Sequence, residues 1–116
     1  MLPAPNRLKN DVDFKKVARF GRWSRTKVLT LKYAPNRLPV ARFGIVVSTK
    51  VDKRATVRNR LQRRLREILR LKLSAIKPGY DLMLICRPEA KNLSYQALEQ
   101  EVLEALTLAR LYQTEV

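Results

Sequence analysis

The sequence has no histidine, a single cysteine, and only 10 acidic residues against 25 lysines and arginines. Without histidine, catalysis by a histidine acid or base and metal sites with histidine ligands are excluded. Cys86 cannot form a disulfide within the chain, and its place in the apolar run DLMLICR predicts a small core residue. Asp52 and Asp81 fall in predicted elements separate from the helix that holds Asp11 and Asp13, so we expect no carboxylate cluster of the kind that a protein nuclease needs.

Two further absences concern membranes. The N-terminal segment MLPAPNRLKN lacks the apolar core of a signal peptide, and no apolar stretch is long enough to span a bilayer. Together with the lone cysteine, these absences predict a cytoplasmic protein without a membrane partner.

The length of 116 residues and the 46% apolar content predict one domain over residues 1–116, in which residues 1–9 form a flexible basic arm.

The net charge of +15 is unevenly distributed. Residues 89–116 hold five acids and two bases, so the whole positive excess lies in the first 88 residues. A basic body with a mildly acidic last segment predicts one binding surface for a polyanion, and nucleic acid is the expected class of partner.

The local patterns predict alternating helices and strands. Asn10 is placed to cap a helix over DVDFKKVARF, and Gly21 is placed to end it. KVLTLKYA alternates as a half-buried strand does, VARFGIVVST has strand composition, and YDLMLICR reads as a central strand covered on both faces. A basic helix is expected at about 53–73, and Ser94 is placed to cap a last helix. The order predicts an α+β sandwich in which the basic helix connects two parallel strands.

The basic helix separates into two faces at about 100° per residue. Val57, Leu61, Leu65 and Ile68 share one sector, which predicts packing on the sheet. The opposite sector holds Arg60, Arg63, Arg66 and Arg70, with Arg58 and Arg64 near its borders and Arg54 at the helix start.

The arginine face could be simply solvated, or it could bind phosphates. From Lys50 to Lys72 there are ten bases and two acids, and like charges one turn apart repel. Simple solvation would favour interspersed glutamates, and the preference for arginine favours planar, bidentate phosphate contacts. Charge alone does not separate DNA from RNA, although no zinc spacing or helix-turn-helix pattern indicates DNA.

Three blocks of sequence, RLKNDVDFKKVARFGRW, RFGIVVSTK and RATVRNRLQRRLRE, resemble successive blocks of the bacterial ribonuclease P protein subunit. The closing YDLMLICRPEAKNLSYQALEQEV is similar to it in position and type. The resemblance implies an α-β-β-β-α-β-α sandwich with a central sheet and a left-handed β-α-β crossover, as in the ribosomal protein S5 domain 2-like fold.

The resemblance also implies a function and a division of labour. The chain would be the protein component of an endoribonuclease that removes the 5′ leader of precursor tRNA. The catalytic centre and its Mg²⁺ ions would belong to the RNA subunit, with no catalytic residue and no metal held by protein side chains alone. The implied partners are ribonuclease P RNA and precursor tRNA, and DNA is not expected.

The resemblance assigns two sets of site residues. The set expected to contact the catalytic RNA is Arg54, Arg58, Asn59, Arg60, Arg63, Arg64, Arg66 and Arg70. The set expected to form the cleft for the precursor-tRNA leader is Phe14, Lys15, Ala18, Tyr33, Gln62 and Arg66. Core packing alone would also explain Phe14 and Tyr33.

Two other functions remain open at this point. A structural RNA-binding protein of the ribosomal type would have a similar charge but no role in cleavage and no leader cleft. A protein-only nuclease would need a clustered set of catalytic side chains, which the separated aspartates do not supply.

Overall fold

The computed structural model describes residues 2–113. Seven main elements follow one another along the chain. They are helix α1 (Asp11–Phe20), strands β1 (Arg22–Arg25), β2 (Leu29–Pro35) and β3 (Arg42–Val46), helix α2 (Ala55–Lys72), strand β4 (Tyr80–Cys86) and helix α3 (Tyr95–Leu108). This order is the one that the family resemblance implies.

The four strands form one sheet in the order β1-β2-β4-β3. β2 is antiparallel to both β1 and β4, whereas β3 and β4 run parallel, with Phe43 opposite Leu82 and Ile45 opposite Leu84. The basic helix α2 is the connection between these two parallel neighbours, as the sequence predicts. The hand of the crossover stays an expectation of the resemblance.

The sheet separates two apolar clusters of unequal size. Leu82 and Leu84 of β4 belong to the larger cluster, together with the buried faces of α2 and α3. Met83 points to the other face of the same strand and packs in a small cluster with Val17 of α1. The prediction that β4 is a central strand covered on both faces is therefore confirmed.

The helix ends follow the predicted capping residues. The Asn10 side chain accepts a hydrogen bond from the Val12 N–H at 2.8 Å, and the Ser94 hydroxyl accepts one from the Ala97 N–H at 3.1 Å. Gly21 directly follows α1, as predicted, at a position that has no room for a side chain. A Cβ atom there would lie 2.4 Å from the Val17 carbonyl oxygen.

The N-terminal segment differs from the predicted flexible arm. The Leu8 N–H donates to the Phe43 carbonyl at 2.9 Å, and the Asn6 side-chain amide donates to the Ala41 carbonyl at 2.8 Å. Leu2 and Leu8 are buried. Residues 2–9 therefore dock along the outer edge of β3, because two leucines in this basic segment have a place in the core. Residue 1 lies outside the described residues.

Cys86 is buried at the end of β4, and burial raises the pKa of its thiol to about 12. The reactive thiolate is therefore almost absent at neutral pH. We expect a thiol reagent such as dithionitrobenzoate to label the native protein far more slowly than the protein in denaturant. Equal labelling rates in the two conditions would contradict the burial of this side chain.

Candidate nucleic-acid interface

Helix α2 presents the predicted arginine face to solvent. Leu61, Leu65 and Ile68 are buried against the sheet, as their spacing predicts. The exposed side carries Arg54, Asn59, Arg60, Arg63, Arg66 and Arg70, and Arg58 and Arg64 lie half-buried at its borders. The outward orientation of this face is confirmed, whereas its contact with RNA stays a prediction.

The arginines of α2 differ in how the protein holds them. Arg58 donates to the backbone carbonyls of Asp52 and Lys53, at 3.0 and 2.8 Å. Arg64 donates to the Leu93 carbonyl at 3.4 Å, and Arg70 is paired with Glu67. Within residues 2–113, the guanidinium groups of Arg60 and Arg63 have no hydrogen-bonding partner, so these two are fully available to an external phosphate.

Asp52 fixes the chain just before α2. Its carboxylate accepts hydrogen bonds from the Arg54 side chain at 3.1 Å and from the Arg54 N–H at 2.8 Å, and Lys91 lies 3.3 Å away. The side-chain hydrogen bond from Arg54 is the main cause that holds the pKa of Asp52 well below its usual range. Because folding lowers that pKa, the ionised Asp52 carboxylate stabilises the folded protein. This stabilisation is fully present above the unfolded pKa of about 3.9 and is lost as the pH falls from there through the lower folded pKa.

A second feature lies at the β3 edge, where α1 and α2 approach the N-terminal segment. Phe14 and Arg66 line one pocket of about 230 Å³, which Lys9 and Gly44 also border. The Phe14 ring rests directly on the backbone of Gly44. A Cβ atom on Gly44 would lie only 2.3 Å from the ring. The structure thus brings together two residues of the predicted leader cleft, one from each helix.

The other predicted members of the leader cleft are placed differently. Lys15 and Ala18 are exposed on α1, and the Gln62 side chain accepts a hydrogen bond from Arg66 at 3.5 Å. Tyr33 shares the sheet face of Leu29 and Leu31, opposite α1, and its ring meets Tyr80 edge-on at 6.3 Å between centroids. The structure does not bring Tyr33 together with Phe14.

Sequence reasoning missed several residues at these sites. Gly44 has a role that depends on its missing side chain, and only the three-dimensional approach of Phe14 reveals it. Lys9 and Leu8 line the same pocket from a segment expected to be loose. Asp52 stands two residues before Arg54. An aspartate often accepts a hydrogen bond from the backbone N–H two residues later, and this spacing could have identified Asp52 from the sequence.

The exposed side chains of α2 are mainly guanidinium groups, whose chemistry suits phosphate groups. Among residues 2–113, no group of three or more cysteine, aspartate or glutamate side chains could hold a metal ion. Within the same residues, no helix has the length and apolar character needed to cross a membrane. The arrangement can bind anionic groups through α2 and an apolar or aromatic group through Phe14.

Comparison with known proteins identifies the family. A family model described as Ribonuclease P matches residues 2–110. The chain belongs to the ribonuclease P protein family. Among the three functions that the sequence leaves open, this match supports the protein component of ribonuclease P, an endoribonuclease that processes tRNA as a ribonucleoprotein.

Individual members of the ribonuclease P protein family agree in sequence and in structure. The ribonuclease P protein component of a Cyanothece species is 37% identical, with 96% of this chain and 97% of the relative covered. The RNase P protein from Staphylococcus aureus superposes with a TM-score of 0.86 at 25% identity, over 93% of this chain and 98% of that one. The RNase P protein from Thermotoga maritima gives 0.81 at 27% identity, over 88% and 96%.

Proposed function

We propose that this ribonuclease P protein works in the cytoplasm and binds two RNAs with two surfaces. The exposed face of α2 binds ribonuclease P RNA, and the Phe14 pocket binds the single-stranded 5′ leader of precursor tRNA. The observation that carries the proposal is the shared pocket of Phe14 and Arg66 at the side of the arginine face. One protein can therefore hold the substrate beside the RNA subunit.

The contacts of α2 support the first half of this proposal. Arg60 and Arg63 project from the centre of the helix without partners among the described residues, and Asn59 is exposed beside them. Guanidinium groups make planar, paired hydrogen bonds to phosphate oxygens, and RNA supplies such oxygens at regular intervals. The neighbouring arginines that bond to the protein's own backbone keep the helix in place.

The second half of the proposal depends on Phe14. An aromatic ring beside cations suits a strand whose bases are unpaired, because any base can stack on a ring while its phosphate meets a cation. Phe14 has Lys9 and Arg66 at its pocket and Lys15 next to it on α1. Mature tRNA has no leader and cannot make this contact, so the pocket would increase the affinity for precursor tRNA relative to mature tRNA.

The proposal places the Mg²⁺ ions of the reaction on the RNA subunit. The described side chains do not suit a divalent cation, because hard cations prefer clustered carboxylate and carbonyl oxygens and α2 offers mainly guanidinium groups. What the chain's own residues do is bind and orient RNA. The arginines also neutralise phosphates that would otherwise repel one another when the substrate docks.

A cleavage assay tests the proposed function. Precursor tRNA with a 5′ leader is incubated with a bacterial ribonuclease P RNA at low Mg²⁺, with and without this protein. We expect the protein to restore cleavage at the mature 5′ end and to show none without the RNA. Binding to the RNA without any effect on cleavage would favour a purely structural role, and cleavage by the protein alone would contradict the proposal.

Replacement of Phe14 tests the leader pocket. We expect Phe14→Ala to weaken the affinity of the holoenzyme for precursor tRNA by about tenfold, because a stacked base contributes about 1–3 kcal/mol. The affinity for mature tRNA and for ribonuclease P RNA should stay unchanged. Filter binding or fluorescence titration of the three RNAs measures the difference.

Phe14→Leu is the matched control for packing. Leucine keeps an apolar side chain over Gly44 but removes the ring, so it should preserve the free energy of unfolding better than alanine does. If Phe14→Leu binds precursor tRNA as tightly as the wild type, Phe14 acts through core packing and the stacking role is wrong.

A further inference from the structure

A series of polar side chains, which we call the Arg42 link, joins the start of α1 to the sheet. The Asp81 carboxylate on β4 accepts hydrogen bonds from the Asn36 amide at 2.9 Å and from the Arg42 guanidinium at 2.8 and 2.7 Å. The Arg42 nitrogen of the shorter bond also lies 3.4 Å from the carboxylate of Asp13, which stands in the first turn of α1. Arg42 therefore contacts the sheet and the helix at the same time.

The Arg42 link lies directly beside the contact between Phe14 and the sheet. Alternate residues of a strand face the same side, so Arg42 and Gly44 of β3 both face α1. Asp13 pairs with Arg42, and the ring of the next residue, Phe14, rests on Gly44. Two consecutive residues of the helix thus meet two alternate residues of one strand, and a shift at the first contact is passed to the second.

The two ends of α1 are attached in different ways. Towards its C-terminal end, Val17 is buried and the Lys32 side chain donates to the Ala18 carbonyl at 3.3 Å. In its first turn, the pair of Asp13 with Arg42 is the one polar side-chain contact with the sheet among residues 2–113. The start of the helix therefore depends on this ion pair and on the packing of the Phe14 ring.

The Arg42 link is firm at the sheet and weaker at the helix. The Asp81 side chain is 8% exposed, whereas that of Asp13 is 29% exposed and stands farther from Arg42. A change at Asp81 would disturb the sheet itself. A change at Asp13 releases the helix end and leaves Arg42 paired with Asp81, so Asp13 is the place where the link can be cut without loss of the fold.

We propose that Arg42 is a positioning residue for the Phe14 pocket. It holds the first turn of α1 through Asp13 and thereby keeps the Phe14 ring in place over Gly44. A ring that is already fixed loses little freedom when a base stacks on it, whereas a loose ring must be ordered at the expense of affinity. This inference rests on the proposed function of the Phe14 pocket.

The test variant is Asp13→Asn in the reconstituted holoenzyme. Asparagine has nearly the same shape as aspartate but no charge, so it removes the attraction to Arg42. A partly exposed ion pair contributes up to about 1 kcal/mol, so we expect the affinity for precursor tRNA to fall by about threefold to fivefold. The affinities for mature tRNA and for ribonuclease P RNA should stay unchanged. Asp13→Glu keeps the carboxylate and should recover most of the loss.

Asp11→Asn is the matched control for Asp13→Asn. Asp11 lies in the same first turn and is exposed, and within the described residues it forms no ion pair or side-chain hydrogen bond. Its replacement removes the same charge from the N-terminal end of α1, so it corrects for the effect on helix stability. Removal of a negative charge favours binding to a polyanion, so the control should bind precursor tRNA at least as tightly as the wild type.

A double-mutant cycle shows whether the Arg42 link acts through Phe14. In a Phe14→Ala protein, Asp13→Asn should cause no further loss of affinity for precursor tRNA, because the ring that the link positions is gone. An equal loss in the presence and absence of the ring would overturn the inference. Wild-type affinity of Asp13→Asn would overturn it as well.

Fluorine NMR of the free protein tests the position of the ring without any RNA. In protein labelled with fluorophenylalanine, the Phe14 signal is assigned by its absence in Phe14→Leu. We expect this signal to shift in Asp13→Asn and to stay in place in Asp11→Asn. An unchanged Phe14 signal in Asp13→Asn would show that the Arg42 link does not position the ring.

The outcomes separate this inference from the proposed function. If Phe14→Ala weakens binding of precursor tRNA but Asp13→Asn does not, the proposed function stands and the positioning role of Arg42 is wrong. If Phe14→Ala binds precursor tRNA like the wild type, the proposed leader pocket is wrong, and a role of Arg42 in leader binding falls with it.

Discussion

The double replacement Arg60→Ala with Arg63→Ala will weaken the affinity for ribonuclease P RNA by about 100-fold. A charge-assisted hydrogen bond contributes about 1.5 kcal/mol or more, and two lost contacts amount to about 3 kcal/mol. A plot of the logarithm of the affinity against the logarithm of the salt concentration should also become less steep, by about one unit of slope for each arginine removed. Titrations of the RNA at several salt concentrations measure both effects.

The same double variant should fold as well as the wild type. Both side chains are exposed and have no partners among the described residues, so the free energy of unfolding should change by less than about 0.5 kcal/mol. The matched control is Lys27→Ala with Arg87→Ala. It also removes two positive charges, but from a different surface that Glu89 and Glu104 share. An equal loss of RNA affinity in the control would show a general effect of net charge and contradict a specific role for the α2 face.

Asp81→Ala will cause the largest loss of stability among the changes considered. The buried Asp81 carboxylate accepts two hydrogen bonds from Arg42, at 2.8 and 2.7 Å, and one from the Asn36 amide at 2.9 Å. Without Asp81, the half-buried guanidinium of Arg42 is left without its main partner. Removal of one member of a buried pair costs about 3 kcal/mol or more, so the melting temperature should fall by about 10 °C. Calorimetry or thermal circular dichroism measures the fall.

A second variant tests whether the loss of stability comes from the unpaired charge of Arg42. Arg42→Met added to Asp81→Ala removes the unpaired charge, so part of the lost stability should return. Asp13→Ala is the milder comparison, because Asp13 is partly exposed and lies 3.4 Å from Arg42. If the double variant is no more stable than Asp81→Ala alone, the ion pair is not the source of the loss.

The features predicted correctly depend on short-range patterns. The two faces of α2 follow from residues three and four apart, and the caps at Asn10 and Ser94 follow from their own side chains. The continuous apolar run of β4 predicts a strand buried on both faces, and the sheet order confirms it. In each case the information lies within one element.

The features that sequence reasoning missed depend on contacts between distant segments. Leu2 and Leu8 lie in a basic segment with two prolines, and only the free edge of β3 gives them a place to pack. Asp81 meets Arg42 from 39 residues away, and no local pattern marks that pair. Tyr33 is instructive, because the alternation of β2 places it with Leu31, and the family resemblance alone suggested the other face.

The firm attachment of α2 has a consequence for how its arginine face would recognise RNA. Its apolar side is buried, Arg58 is bonded to two carbonyls ahead of the helix, and Asp52 holds the residue where the helix begins. The backbone that carries Arg60 and Arg63 is thus ordered as a helix in the protein alone. A disordered basic tail must lose backbone entropy along its whole length on binding, whereas here only a few side chains become ordered. If the α2 face binds RNA as proposed, we expect it to act as a rigid template that favours RNA whose phosphates match the spacing of its arginines.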